Sequence, residues 1–197
     1  MKLMPYLKLA RPQQWVKNTF VLPGLIFGHA LDDAEKVAAA LLATFAFCLM
    51  SSAVYALNDV FDRERDREHP DKRRRPVASF EIAPRSGVLF GAVLALASLG
   101  LGLAAGPAVV AILAAYALLN LGYSLGLKRV PVVDVFIIAA GFMLRILAGT
   151  IGIGIAPSRW LLLCGFLVTL FLGFAKRRAE LASLAEEAGK HRPVLDS

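Results

Sequence analysis

Long apolar runs separated by short charged segments dominate the chain. Each run holds about 20 residues, the length that an α-helix needs to cross the hydrocarbon core of a bilayer. The pattern predicts an all-α membrane protein, a polytopic bundle of six transmembrane helices. Their predicted ranges are 14–31, 35–57, 86–105, 108–126, 132–153 and 158–176. The polar tail, 179–197, is predicted to be a loop.

The composition supports one membrane domain. Hydrophobic residues make up 57% of the chain, charged residues make up 19%, and the mean hydropathy is +0.62. Soluble domains contain about a quarter charged residues, so this chain is unusually poor in charge. No polar linker is long enough to separate two domains, and we therefore expect a single transmembrane domain over 1–197.

The basic residues are distributed asymmetrically along the chain. Nineteen of the 22 Lys and Arg residues lie in four segments that alternate with the apolar spans, namely 2–17, 63–85, 128–129 and 176–192. All four segments would lie on one side of the membrane, and cytoplasmic loops carry such an excess. We expect a multi-pass protein of the plasma or inner membrane with both termini and the charged loops in the cytoplasm. This placement argues against a nucleic-acid partner, despite the formal net charge of +7.

An acidic cluster begins directly where the second apolar span ends. Its members are Asn58, Asp59, Asp62 and Asp66. If the second helix continues through the cluster, the three carboxylates lie on one helix face and repel one another. Mg²⁺ bound by carboxylate and phosphate oxygens would offset that repulsion. Three flanking arginines are predicted to point elsewhere on the helix: Arg63, Arg65 and Arg67. The alternative is a solvated, salt-bridged loop.

Basic and polar side chains occur at the same predicted side of the membrane. Consecutive basic residues over 72–75 suit phosphate oxygens, although topology and anionic lipids explain such a run equally well. Further candidates lie at the starts or ends of predicted helices: Lys17, Asn18, Tyr123, Lys128, Lys176 and Arg177.

Arg145 lies near the middle of the fifth predicted span. A charge at that depth is costly and usually lines a cavity or pairs with an acid. Asp134 is eleven residues earlier on nearly the same helix face, about 16 Å away, so the two can line one cavity without touching. The alternative for Arg145 is a buried structural pair with a carbonyl or a carboxylate.

Five motifs together resemble one known family. Asn58-Asp59-x-x-Asp62-x-x-x-Asp66 at the end of a membrane helix resembles the first Asp-rich motif of the UbiA superfamily of intramembrane prenyltransferases. The remaining motifs resemble its decaprenyl-phosphate phosphoribosyltransferase branch across essentially the whole chain. They are Arg11-Pro12-x-Gln14-Trp15-x-Lys17-Asn18, His69-Pro70-x-Lys72-Arg73-x-Arg75-Pro76, Tyr123-Ser124-x-Gly126-Leu127-Lys128 and Lys176-Arg177-x-x-Glu180-Leu181.

The resemblance implies a function and a set of site residues. It implies pentosyl transfer from phosphoribosyl pyrophosphate to a polyprenyl (decaprenyl) phosphate, in the synthesis of cell-wall arabinan precursors. Asp59, Asp62 and Asp66 would be the catalytic, Mg²⁺-binding residues, supported by Asn58. The implied contacts to phosphoribosyl pyrophosphate come from Lys17, Lys72, Arg75, Tyr123 and Lys128, and further candidates for substrate binding are Arg145, Lys176 and Arg177.

The chain departs from the family pattern in two ways. Family members usually have nine membrane helices, so the resemblance implies that the C-terminal helices are missing here. The loop after the sixth helix is basic, whereas classical members carry a second Asp-rich motif there. Two alternatives stay open: a prenyltransferase that joins a prenyl diphosphate to an aromatic acceptor, and an inactive fragment or lipid-binding membrane subunit. The oligomeric state is open as well.

Overall fold

The computed structural model describes residues 3–127, 130 and 132–190, with the backbone alone for Lys176 and residues 180–190. The described residues form helices and turns and contain no strand. The α-helices are α1 (Leu3–Ala10), α2 (Pro23–Phe27), α3 (Ala34–Phe61), α4 (Arg63–Glu68), α5 (Pro84–Ala105), α6 (Pro107–Leu125), α7 (Val133–Ala148) and α8 (Arg159–Lys190). Three 3-10 helices accompany them: η1 (Pro12–Val21), η2 (Lys72–Arg74) and η3 (Ile151–Ile153).

Five helical segments of the described chain are long and apolar enough to cross a membrane. They are Ala34–Phe61, Pro84–Ala105, Pro107–Leu125, Val133–Ile153 and Arg159–Ala179. The predicted all-α membrane fold is therefore confirmed, and the chain is an integral membrane protein.

The prediction of one continuous helix over 14–31 is wrong. The chain forms the 3-10 helix η1, passes through Leu22 with helical dihedral angles and continues as the short α-helix α2 from Pro23 to Phe27. A proline inside an α-helix lacks an N–H donor and its ring clashes with the carbonyl four residues earlier, which explains why the helix type changes directly before Pro23. At the other end, Arg11 adopts a left-handed conformation with φ 52° and separates α1 from η1.

Two helix boundaries follow from local sequence. The side chain of Asp33 accepts hydrogen bonds from the backbone N–H groups of Glu35 and Lys36, both at 3.0 Å, and so caps the start of α3. Gly106, with φ 153°, ends α5, and Pro107 opens α6 without losing a hydrogen bond. The second boundary agrees with the break predicted between 105 and 108.

The polar tail was predicted to be a loop, but α8 continues through it to Lys190. Its residues 179–189 are mostly Ala, Leu and Glu, which are strong helix formers. Polar residues therefore do not indicate by themselves where a helix ends. Residues 191–197 lie outside the described part.

Helix α3 is central in the packing. It runs along α5 and also contacts η1, α1, α6 and α7, while α8 packs on α7. The ring of Phe47 on α3 meets Tyr116 on α6 edge-on, with centroids 5.4 Å apart. Because α3 is held from several sides, its C-terminal end, which carries the acidic cluster, is fixed relative to η1, α6 and α7.

Candidate functional site

The acidic cluster does not lie on one uninterrupted helix. Helix α3 ends at Phe61, and Asp62 joins it to α4 with φ −90° and ψ 3°. Backbone hydrogen bonds nevertheless span the junction, from the N–H of Asp62 to the carbonyl of Asn58 (2.9 Å) and from the N–H of Asp66 to that of Asp62 (2.8 Å). The bend is therefore shallow enough that the carboxylates still face the same space.

That space is a cavity of about 760 Å³, termed here the carboxylate cavity. Acidic and amide side chains form one part of its wall: Asn58, Asp59, Asp62 and Asp66. Basic side chains form another part: Arg11, Arg65, His69, Lys72, Arg75 and Arg177. Tyr55, Tyr123 and Ser124 complete the lining. Carboxylates and cations thus line the same space, which is large enough for a phosphorylated sugar.

Two arginines neutralise the innermost carboxylates. Asp59 is only 1% exposed, and its Oδ1 accepts hydrogen bonds from Arg11 Nη2 at 2.5 Å and from Arg75 Nη1 at 3.3 Å. Arg75 Nη1 also donates to Oδ2 of Asp66 at 2.7 Å. The repulsion expected among the carboxylates is therefore offset by guanidinium groups from η1's start and from the loop after η2. Arg11 was not predicted as a site residue, although it opens the motif that includes Lys17 and Asn18.

The flanking arginines divide between the cavity and the surface. Arg65 lines the carboxylate cavity, so the prediction that it points elsewhere is wrong. Arg63 donates to the carbonyl of Val60 at 3.1 Å. Arg67 pairs with Glu64 and lies over the ring of Phe80, 4.0 Å from its centroid.

The donor set is suited to a magnesium ion that is shared with a substrate. Among the residues that the structure describes, no group of three or more His, Cys, Asp or Glu side chains could hold a metal by itself. Mg²⁺ usually keeps several waters and binds one or two carboxylates together with substrate phosphates. Hard carboxylate oxygens beside lysine and arginine side chains fit that mode of binding.

A smaller inner chamber of about 190 Å³ lies next to the carboxylate cavity and shares Tyr55, Asn58 and Tyr123 with it. Its polar lining also includes Lys17, Tyr116, Asn120 and Arg145. Asn58 is oriented by Ser124, whose hydroxyl donates to its Oδ1 at 2.5 Å. The inner chamber thus extends the polar lining from the end of α3 toward the middle of the bundle.

Arg145 both lines the inner chamber and is held in place by neutral groups. It donates from Nε to Oδ1 of Asn18 (2.8 Å), from Nη1 to the carbonyl of Gly141 (2.8 Å) and from Nη2 to the hydroxyl of Tyr116 (3.1 Å). Its guanidinium also lies 4.8 Å from the centroid of the Tyr116 ring. Asp134, the carboxylate considered for the same cavity, pairs instead with Arg177.

An apolar groove of about 520 Å³ runs between η1, α7 and α8. Its apolar lining is Val16, Phe20, Ile138, Phe142, Leu172 and Gly173, and its polar lining is Lys17, Thr19, Tyr123, Thr169 and Arg177. The rings of Phe20 and Phe142 close one side, with centroids 4.8 Å apart. Tyr123 is common to the groove, the inner chamber and the carboxylate cavity, so the three spaces adjoin there.

The structure brings most of the predicted site residues to these spaces. The carboxylate cavity contains Asn58, Asp59, Asp62, Asp66, Lys72, Arg75, Tyr123 and Arg177. Lys17 and Arg145 line the inner chamber. Lys128 lies outside the described residues, and only the backbone of Lys176 is described. Their roles as ligands of substrate or metal remain predictions.

Known proteins resemble this chain in sequence and in structure. The sequence profile described as the UbiA prenyltransferase family matches residues 19–190. A decaprenyl-phosphate phosphoribosyltransferase of Corynebacterium glutamicum is 38% identical over 97% of this chain and 59% of its own length. The resemblance to that branch is thereby confirmed. The chain spans about three fifths of the length of the curated relatives it matches.

Two solved membrane structures share the fold. A digeranylgeranylglyceryl phosphate synthase in membranes superposes with a TM-score of 0.78 at 25% identity, over 94% of this chain and 66% of that one. A UbiA homologue from Archaeoglobus fulgidus bound to GPP and Mg²⁺ gives a TM-score of 0.72 at 24% identity, over 84% and 60%. With a family match over most of its residues, this chain belongs to the UbiA prenyltransferase family.

Proposed function

We propose that this site transfers a 5-phosphoribosyl group from phosphoribosyl pyrophosphate to decaprenyl phosphate, in a Mg²⁺-dependent step of cell-wall arabinan precursor synthesis. The observation that carries the proposal is one cavity lined by three aspartates and several cations, adjoining an apolar groove at Tyr123. A water-soluble polyphosphate donor suits the cavity, and a lipid acceptor suits the groove. The name of the relative from Corynebacterium glutamicum supports the same pair of substrates.

The chemistry requires little acid–base catalysis. A lipid phosphate oxygen forms a bond to C1 of the ribose, the bond from C1 to the diphosphate oxygen breaks, and its electron pair leaves with the diphosphate. The attacking oxygen is already anionic, so no proton has to be removed. Catalysis therefore consists mainly of holding the two substrates in line and stabilising the charge that develops on the leaving group.

The residues of the carboxylate cavity have two roles in this reaction, metal binding and phosphate binding. Asp59, Asp62 and Asp66, with Asn58 beside them, would hold Mg²⁺, which supplies positive charge to the departing diphosphate. Lys72 and Arg75, which line the same cavity, bind phosphate oxygens of the donor. Arg75 contacts both Asp59 and Asp66, so it keeps the carboxylates and the phosphate-binding cations in fixed relation.

The proposed donor also indicates on which side of the membrane the site lies. Phosphoribosyl pyrophosphate is a soluble, highly charged metabolite, and the carboxylate cavity opens among segments that hold most of the Lys and Arg residues. Positive charge concentrates in cytoplasmic segments, and both termini and the cavity are therefore assigned to the cytoplasm.

The test is the formation of a labelled lipid. The 197-residue chain in nanodiscs is incubated with Mg²⁺, decaprenyl phosphate and phosphoribosyl pyrophosphate labelled in the ribose, and the lipid fraction is counted. Asp59→Ala should lower turnover at least about 100-fold, because the innermost carboxylate is lost from the proposed metal site. Removal of Mg²⁺ by EDTA should have the same effect.

The matched control is Asp32→Asn. Asp32 is exposed just before α3, so it lies about 40 Å from Asp59 along that helix and should leave turnover unchanged. Full activity of Asp59→Ala would overturn the metal assignment. A chain that forms no labelled lipid, but joins a prenyl diphosphate to an aromatic acceptor, would overturn the choice of substrates.

A further inference from the structure

The cations of the site fall into groups according to the space they line. Lys72 and Arg75 line the carboxylate cavity and not the apolar groove. Lys17 lines the groove and the inner chamber and not the carboxylate cavity. Arg177 lines both the groove and the carboxylate cavity. Positive charge is thus supplied to two different places, and only one of them contains the aspartates.

The groove has an apolar length and a charged end. On α8 its wall consists of Thr169, Leu172, Gly173 and Arg177, whose spacing places them on one helix face. From Thr169 to Arg177 this face extends about 12 Å. The hydroxyl of Thr169 donates to backbone carbonyls of its own helix at 2.9 Å, so it does not require an acceptor from a ligand in the groove. The wall therefore changes from apolar to cationic toward the carboxylate cavity.

Arg177 is fixed at that end by an ion pair with Asp134. The side chain of Asp134 is 3% exposed, whereas that of Arg177 is 45% exposed. One part of the guanidinium therefore contacts a buried carboxylate while the rest of it faces the open space. A planar guanidinium has five donors, so Arg177 can contact Asp134 and a bound anion at the same time.

A ligand with a long apolar tail and a terminal phosphate matches this arrangement. A tail in the groove would bring the phosphate to the two cations of its lining, Lys17 and Arg177. A phosphate monoester carries about −1.5 to −2 charges at neutral pH, and Lys17 and Arg177 supply positive charge to it, part of which Asp134 offsets. Among the described residues that line the groove, none is an aspartate.

From these observations we infer that Lys17 and Arg177 bind the phosphate of the lipid acceptor, whereas Lys72 and Arg75 bind the phosphates of the soluble donor. This inference rests on the proposed function and adds to it a division of the cations between two substrates. It reassigns Lys17, which the sequence resemblance places among the donor contacts. It also accounts for Tyr123 at the point where the two substrates meet.

Direct binding of each ligand tests the division without requiring turnover. Farnesyl phosphate and farnesol serve as acceptor probes, and phosphoribosyl pyrophosphate with Mg²⁺ serves as the donor probe, each titrated calorimetrically against the whole chain in detergent micelles. Lys17→Met should weaken farnesyl phosphate about tenfold to hundredfold, the usual loss for one charge-assisted hydrogen bond. It should leave farnesol and the donor probe within about twofold of the unmodified chain, and Lys17→Arg should restore most of the binding.

Variants at the other cations complete the test. Lys72→Met should show the reverse pattern, with weaker donor binding and unchanged farnesyl phosphate binding. Arg177→Met is combined with Asp134→Asn, so that no buried carboxylate loses its partner, and should weaken farnesyl phosphate as Lys17→Met does. Arg178→Met is the matched control, because Arg178 is exposed on α8 and lines none of the three spaces. It should change neither affinity.

The results separate this inference from the proposed function. Weaker donor binding in Lys17→Met with unchanged farnesyl phosphate binding would overturn the inference and leave the proposed function intact. Equal affinity of the unmodified chain for farnesyl phosphate and farnesol would overturn it as well. If the chain binds both phosphorylated probes with the predicted division but forms no labelled lipid, the inference stands and the proposed reaction fails.

Discussion

Adding one methyl group at Gly149 should displace η1, which carries Lys17. Gly149 follows α7 directly, and a Cβ atom there would lie 1.7 Å from the carbonyl oxygen of Val21, the last residue of η1. The contact is reciprocal, since a Cβ atom on Gly24 would lie 1.8 Å from the carbonyl oxygen of Gly149. Backbone meets backbone here, so no flexible side chain can move aside.

The size of the effect follows from these distances. Carbon and oxygen atoms approach to about 3.3 Å, so Gly149→Ala must separate η1 from α7 by roughly 1.6 Å. Overpacking usually costs about 1–3 kcal/mol, and a contact between two backbones belongs at the upper end. For a chain of this length, about 3 kcal/mol lowers the melting temperature by roughly 6–12 °C. Misplacement of a substrate-binding group by about 1 Å can also cost 100-fold in turnover.

Thermal unfolding in detergent micelles, followed by circular dichroism, measures the first effect, and the labelled-lipid assay measures the second. Gly100→Ala is the matched control, because nothing lies within 4 Å of a Cβ atom on Gly100. Within helix α5 that change should stabilise the protein by about 0.5–1 kcal/mol. A Gly149→Ala protein that melts within about 2 °C of the unmodified chain would refute the close packing of η1 on α7.

Three further predictions concern buried polar groups. Asn18→Leu should lower the free energy of unfolding by about 2 kcal/mol, because Arg145 loses the acceptor for its Nε; an unchanged melting temperature would contradict this. Arg11→Met should cost about 2 kcal/mol, because buried Asp59 then keeps only its longer arginine contact, and the loss should disappear in the Asp59→Asn background. Lys36→Met, at the opposite end of α3, removes a 2.8 Å hydrogen bond to a backbone carbonyl and should cost about 1 kcal/mol without changing the affinity for either substrate probe.

The long membrane helices could be predicted because their signal is local. Each needs about 20 apolar residues, and the breaks between them carry residues with fixed backbone preferences. Gly106 and Pro107 separate α5 from α6 as predicted, and the apolar run after Asp33 gives α3. A membrane requires a helix to satisfy its own backbone, so apolar length alone nearly determines the secondary structure.

The errors arose where two local signals disagree. The first predicted span is apolar enough for a helix but contains Pro23, and the α-helical segment begins only at that proline. At the other end of the chain, residues after 178 are polar but have high helix propensity, and the backbone followed the propensity. Hydropathy indicates whether a segment lies in lipid or in water, whereas proline content and helix propensity indicate its backbone conformation.

For the acidic cluster, the sequence did not show which side chains pair with the carboxylates. Sequence spacing indicated which carboxylates share a face, but the cation that meets Asp59 is Arg11, 48 residues earlier. The same holds for Arg145, whose acceptor Asn18 is 127 residues away. No local pattern encodes such distances, because they depend on which helices are neighbours.

The sequence can nevertheless show which residues need a partner within the protein, although it does not show which residue that partner is. A polar group inside a membrane bundle has to be satisfied by the protein itself, so each such residue implies an unnamed partner on another helix. Asn18, Asp134 and Arg145 were recognisable as groups of this kind, and each has its partner in the structure. Lys17 lines the apolar groove, where a cation is suited to an anion that arrives with a lipid tail. A binding role of this kind depends on the spaces between helices, which is why the proposed division of cations between two substrates could be inferred only from the fold.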